Sequence, residues 1–165
     1  MPVIKNYQNN GFSMIELVVV IVLLSIVAVF AFGNLSGQNN ILARGFTDNM
    51  ASAMRFAQKL AISSGCSVQV TVSNTAGNTG YQLFQQAGGC STGSYTRLVA
   101  NPANRSQNFS NFDIPAGFSL SPNTNVVFDA QGVLVSGNDF TYTVTNGTQS
   151  YSFTVYGGTG LVDAN

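Results

Sequence analysis

The chain contains no histidine and no tryptophan, and only 7% of its residues carry charge. A soluble domain ordinarily devotes about a quarter of its residues to charge. Without histidine, the commonest general base and the commonest metal ligand are both missing. Six basic and six acidic side chains cancel, so the molecule as a whole offers no electrostatic attraction to nucleic acid or anionic lipid. Asp113, Asp129, Asp139 and Asp163 are too scattered to form a calcium loop. The two cysteines, Cys66 and Cys90, would leave a zinc tetrahedron half empty, and a catalytic thiol would lack an activating imidazole. No metal, cofactor or catalytic role is expected. Polarity comes instead from Ser, Thr, Asn, Gln and Gly, which hydrate a surface without making copies of it repel.

What is present first is a long apolar run. Residues 12–32, FSMIELVVVIVLLSIVAVFAF, are apolar except for Ser13, Glu16 and Ser25. About 20 such residues in a helix cross the hydrocarbon core of a bilayer, and lipid leaves a single segment no other way to satisfy its backbone. A secretory signal peptide would be shorter and would end in a small-residue cleavage site, which is absent. The preceding MPVIKNYQNNG is polar and carries only Lys5, a weak signal for a cytoplasmic N-terminus. Glu16 is a carboxylate inside this run. Composition leaves two readings of it open, a snorkelling side chain and a functional charge with a partner.

Gly11-Phe12-Ser13-Met14-Ile15-Glu16-Leu17 followed by Val18-Val19-Val20-Ile21-Val22 resembles the class III signal of type IV pilins and type II secretion pseudopilins. The resemblance implies cleavage by a prepilin peptidase between Gly11 and Phe12 on the cytoplasmic face, and N-methylation of Phe12. It implies that Glu16 pairs with the free amine of a neighbouring subunit, which neutralises two charges costly at the edge of lipid. It therefore divides the chain into a leader (1–11), a transmembrane assembly helix (12–33), an amphipathic helix half (34–64) and a periplasmic, later extracellular, β-rich head (65–165). The partners implied are other pilin subunits, the peptidase and methyltransferase, the assembly platform and the inner membrane. Major pilins often carry Pro where this chain has Gly33. Gly33-Asn34 is still a weak helix point, and the departure favours a minor component.

From Ile41 to Ser63, apolar residues recur at Leu42, Phe46, Met50, Ala53/Met54, Ala57 and Leu60/Ala61, steps of three and four that mark one helical face. Arg44 and Asp48 form an i,i+4 pair outside it. Arg55 and Lys59 read as a solvated face. Gly65 is placed to cap the helix C-terminus. Beyond it the period becomes two at Val68, Val70 and Val72, and short strand-like runs follow at Tyr81–Gln85, Tyr95–Val99, Val126–Asp129 and Gly132–Val135. Asn146-Gly147 between two alternating runs signals a two-residue type I′ hairpin. That turn pairs Tyr142 with Tyr151 and Phe140 with Phe153, with aromatics on one face and hydroxyls on the other. The aromatic face is expected to pack on the helix.

A periplasmic head makes a structural Cys66–Cys90 bond the expected state, worth roughly 3 kcal/mol by loop-closure entropy. Phe46…Arg55-Phe56-Ala57-Gln58-Lys59-Leu60-Ala61, then Phe128…Gly132, resembles GspH/FimT-type minor pilins, and within them those of the mannose-sensitive haemagglutinin (MSHA) pilus. The fold implied is α+β: a long N-terminal helix, its second half packed on an antiparallel β-sheet head. The function implied is a low-copy pilus subunit that primes assembly or sits near the tip. A type II secretion pseudopilin is the alternative. A DNA-uptake pilin would want a basic C-terminal tail, and no Arg or Lys follows Arg105.

Overall fold

A computed structural model describes residues 13–33, 38–75, 77–90 and 93–164, with side chains of 29–33 excepted. The described residues divide into two units at Gln38/Asn39.

The first unit is helix α1 (Met14–Gly33). Ser13 opens it: its carbonyl accepts the N–H groups of Glu16 (3.0 Å) and Leu17 (3.2 Å). Ser25 donates its hydroxyl to the Ile21 carbonyl at 2.7 Å, so this polar side chain is satisfied within its own helix. The large apolar residues from Met14 to Val27 are all exposed, from 44 to 89%, and they surround the axis rather than forming a stripe. Among the described residues no helix is long and apolar enough to cross a membrane. The span expected over 12–33 takes in Phe12 and the side chains after Ala28, which lie outside them. The weak point expected at Gly33-Asn34 falls at the end of α1, with residues 34–37 outside the described set.

Helix α2 (Gln38–Ser64), in the second unit from Asn39 on, buries one face: Ala43, Phe46, Thr47, Met50, Ala51, Ala53, Met54, Ala57 and Ala61. Gly65 follows at φ +66°, the left-handed cap that a residue without Cβ adopts at little cost. Leu42 departs from expectation. It is 58% exposed, because the buried stripe is set by Ala43, Phe46 and Met50, and Leu42 lies beside it.

Two antiparallel sheets complete the head. The first comprises β1 (Val68–Thr75), β2 (Asn78–Gln86), β3 (Tyr95–Leu98), β4 (Ser110–Asn111) and β6 (Val126–Phe128). Its order is β3-β2-β1-β6, with β4 pairing on β2. The second runs β5-β7-β8-β9, from β5 (Ser119–Ser121), β7 (Phe140–Thr145), β8 (Ser150–Val155) and β9 (Val162–Ala164). Strands β4, β5 and β9 are two or three residues long, too short to carry a periodic signal. Residues 132–135 form no strand. Leu134 contributes one isolated bridge to Phe128, and Asp129 turns the chain by accepting the N–H groups of Gln131 (2.9 Å) and Val133 (3.1 Å).

The β7–β8 hairpin differs from expectation by two residues. Tyr142 pairs with Phe153, Val144 with Tyr151 and Phe140 with Val155. Thr145 pairs with Ser150, so residues 146–149 make a four-residue turn in place of two. The physical reason is Asn146, whose Oδ1 accepts the N–H groups of Thr148 (3.0 Å) and Gln149 (2.7 Å). That side chain replaces the backbone contacts a tighter turn would make. A shift of two preserves every side chain's face, so Tyr142, Val144, Phe153 and Val155 still point inward and are buried.

One core joins the helix and both sheets. It holds Met50 and Met54 of α2, Val68 and Val70 of β1, Leu83 of β2, Phe128 of β6 and the inward residues of β7 and β8. Tyr142 and Phe153 stack at 5.4 Å, and the Tyr142 hydroxyl donates to the Thr124 carbonyl at 2.6 Å. Burial of a ring with its polar end satisfied contributes several kcal/mol. Desolvation pushes the Tyr81 phenol up to about 12, and raises Tyr142 in the same direction for the same cause.

Candidate functional site

The sequence places its candidate site on α1, and the structure gives that helix an unusual character. Glu16 lies in the first turn, where the partial positive charge of the helix N-terminus favours a carboxylate. Around it Met14, Ile15 and Leu17 are 89, 68 and 59% exposed. Such a surface is incompatible with a free monomer in water, because each large apolar side chain left in water forgoes about 1.5–3 kcal/mol of burial. It calls for lipid or for the helices of other subunits. Gly11 and Phe12, the expected cleavage pair, lie outside the described residues.

Cys66 and Cys90 are joined by a disulfide, with Cα atoms 4.9 Å apart. It ties the end of α2 to the loop after β2. Closing 24 residues restricts the unfolded chain and adds roughly 3 kcal/mol.

Two α2 side chains read as solvated or unremarkable in sequence hold the C-terminal region. Arg55 donates from Nε (3.2 Å) and Nη2 (3.0 Å) to the carbonyl of Val162 in β9. Gln58 donates from Nε2 to the carbonyls of Gly132 (3.0 Å) and Thr159 (3.1 Å). The solvated reading of Arg55 is therefore corrected: its guanidinium satisfies an edge-strand carbonyl 107 residues away in sequence. Lys59 is exposed. No local pattern signals the Arg55 contact, since its partner is a backbone atom brought there by the fold.

An open groove of about 550 Å³ runs beside the start of α2, lined by Ile41, Leu42, Phe46, Asn111 and Pro115 among others. It meets a second groove of about 390 Å³ at Asn49, Asn111 and Asp113. Among the described residues Asp113 is the one carboxylate in either wall, and the second groove adds the hydroxyl-bearing Ser52, Tyr81 and Ser110. Among the described residues no group of three or more His, Cys, Asp or Glu is placed to hold a metal.

Comparison with known proteins agrees with this arrangement. Residues 6–32 match the prokaryotic N-terminal methylation motif, and residues 47–159 match the family described as type II transport protein GspH. No curated protein matches the chain by sequence. Among solved structures, the fold is similar to the type IV minor pilin FimU of Pseudomonas aeruginosa, with a TM-score of 0.55 at 12% identity over 76% of this chain and 90% of that one. It is also similar to EpsH, a minor pseudopilin of the type 2 secretion system of Vibrio cholerae, with a TM-score of 0.57 at 11% identity over 74% and 95%. Pilin-like proteins of this kind are processed by a prepilin peptidase, anchored in the inner membrane before assembly, and built into filaments with other pilin subunits. The chain belongs to the GspH family, the minor pilins and pseudopilins of type IV pili and type II secretion systems, and is a filament subunit rather than an enzyme.

Proposed function

We propose that this chain is a minor pilin of a type IV pilus of the MSHA type, entering the filament at low copy to prime assembly or to sit near the tip and so support surface attachment. In this reading the peptidase cuts between Gly11 and Phe12, Phe12 is methylated, and Glu16 pairs with the new N-terminal amine of a neighbour. The observation that carries it is the N-terminal motif set on a helix whose large apolar side chains from Met14 to Val27 are all exposed. An ammonium and a carboxylate brought together at the edge of lipid each remove the other's desolvation cost. The pattern running from Phe46 and Arg55-Phe56-Ala57-Gln58 to Phe128 and Gly132 adds the resemblance to the MSHA minor pilin MshC. The second reading, a minor pseudopilin of a type II secretion system, draws on the family description.

N-terminal mass spectrometry of protein from sheared surface filaments and from membranes tests the proposal. A chain beginning at N-methylated Phe12, at low copy in the sheared fraction, supports it. A chain retaining Met1 and found in membranes alone overturns it. Loss of exoprotein secretion on deletion, with surface pili intact, would favour the second reading.

A further inference from the structure

The turn that displaced the β7–β8 register also sets a reactive pair of groups side by side. Asn146 is followed by Gly147, which has no side chain to keep its backbone nitrogen away from the preceding amide carbon. Both residues are exposed, so water reaches them. Gly147 sits at φ +86°. Its N–H donates to Thr145 Oγ1 at 3.1 Å, and the same hydroxyl donates to the Gln149 carbonyl at 2.9 Å. The Asn146 side chain is held by the N–H groups of Thr148 and Gln149, and its own backbone N–H reaches the Gln149 carbonyl at 3.1 Å. Nucleophile and electrophile are each engaged elsewhere in one closed network.

We propose that Asn146 is a latent self-modification site, kept unreacted by the Thr145 hydroxyl. The reaction is intramolecular deamidation with water as co-reactant. The Gly147 nitrogen, having given its proton to hydroxide, attacks Cγ of Asn146. The N–Cγ bond forms, the Cγ–Nδ2 bond breaks, and ammonia leaves with a proton taken from water. Water then opens the cyclic imide at either carbonyl, giving aspartate or isoaspartate, with no change of oxidation state. Thr145 guards the first step, because an N–H donated to a hydroxyl is harder to deprotonate and cannot turn towards Cγ without losing that bond. Firing the site adds one negative charge to a chain whose formal net charge is zero. In the isoaspartate product it also adds a methylene to the main chain of a turn whose ends are pinned by the Thr145–Ser150 pair. The product is therefore a loosened hairpin in the second sheet.

The test follows Asn146 by peptide mapping and mass spectrometry of the full chain, held in mildly alkaline buffer either folded in detergent or unfolded in urea. The folded chain should convert at least about tenfold more slowly, since reaction must wait for local opening of the turn. Thr145→Val keeps the β-branched shape but removes the hydroxyl, and should speed conversion several-fold in the folded chain while leaving the urea rate unchanged. Thr145→Ser should restore the slow rate. Equal rates in folded and unfolded wild type would overturn the proposal, a result that needs no variant to fold. An unchanged folded rate in Thr145→Val would overturn the role of the hydroxyl.

Discussion

Helix α1 and helix α2 are both rich in apolar residues, yet they spend them in opposite ways. In α1 every described large apolar side chain is exposed, whereas in α2 a single stripe from Ala43 to Ala61 is buried, flanked by the partly buried Phe56 and Leu60. The difference follows from distribution rather than amount. Apolar residues all round a helix cannot be buried by one neighbouring sheet, and they require a surrounding apolar medium. A stripe of small residues and methionines at three- and four-residue steps is satisfied by the β-sheets of its own chain. The head thus stabilises itself, and α1 is reserved for lipid or for other subunits.

The comparison breaks if head and helix prove to be energetically coupled, and the largest test of that lies in the core. Tyr142→Ala removes a fully buried ring and its bond to Thr124, and should cost about 3–5 kcal/mol of head stability in urea unfolding of the full chain in detergent. Reducing or deleting the Cys66–Cys90 bond should cost roughly 3 kcal/mol in the same measurement. Arg55→Ala leaves the Val162 carbonyl without its charged donor and should cost about 1.5–3 kcal/mol. The solvated reading of Arg55 would instead give almost no change.

Alkaline pH sharpens the same contrast through two buried phenols of the head, Tyr81 and Tyr142. In the unfolded chain Tyr81 titrates near 10.0, and in the folded chain at about 12. Below pH 10 both states hold the proton, and this group gives no pH dependence. Above it the unfolded state releases the proton first and gains free energy relative to the fold. Head stability should therefore be flat up to about pH 10 and fall as pH rises towards 12, with Tyr142 contributing in the same direction. Ultraviolet absorbance of the phenolates followed across that range checks it. The smallest expected effect is Leu23→Ala in α1, at a side chain 56% exposed. It should leave head unfolding unchanged while lowering recovery in sheared filaments.

Much of this was legible beforehand for physical reasons that can be named. The apolar run, the Phe46–Met50–Met54–Ala57–Ala61 stripe and the Gly65 cap are local patterns that depend on residues within a turn or two of each other. The Val68-Val70-Val72 alternation likewise appears as the buried face of β1. Asn146-Gly147 located the hairpin correctly but not its register. Two-residue and four-residue turns keep the same facing pattern, and the Asn146 side chain decided between them through the amides of Thr148 and Gln149. Ser110–Asn111 and Val162–Ala164 become strands only because β2 and β8 offer them unpaired edges.

The amino-acid sequence by itself determined the division of labour: an apolar N-terminal helix bearing one carboxylate, a one-faced second helix, and a β-rich head with two cysteines. These rest on composition and short-range periodicity. Tertiary structure alone decided the strand pairing of the two sheets and the anchoring of β9 by Arg55, while the two-residue shift of the β7–β8 register was decided inside its own turn by the Asn146 side chain. Each of those is a contact between residues far apart in the chain or a choice between equivalent local turns. Neither leaves a periodic trace, because a backbone carbonyl looks the same in every residue.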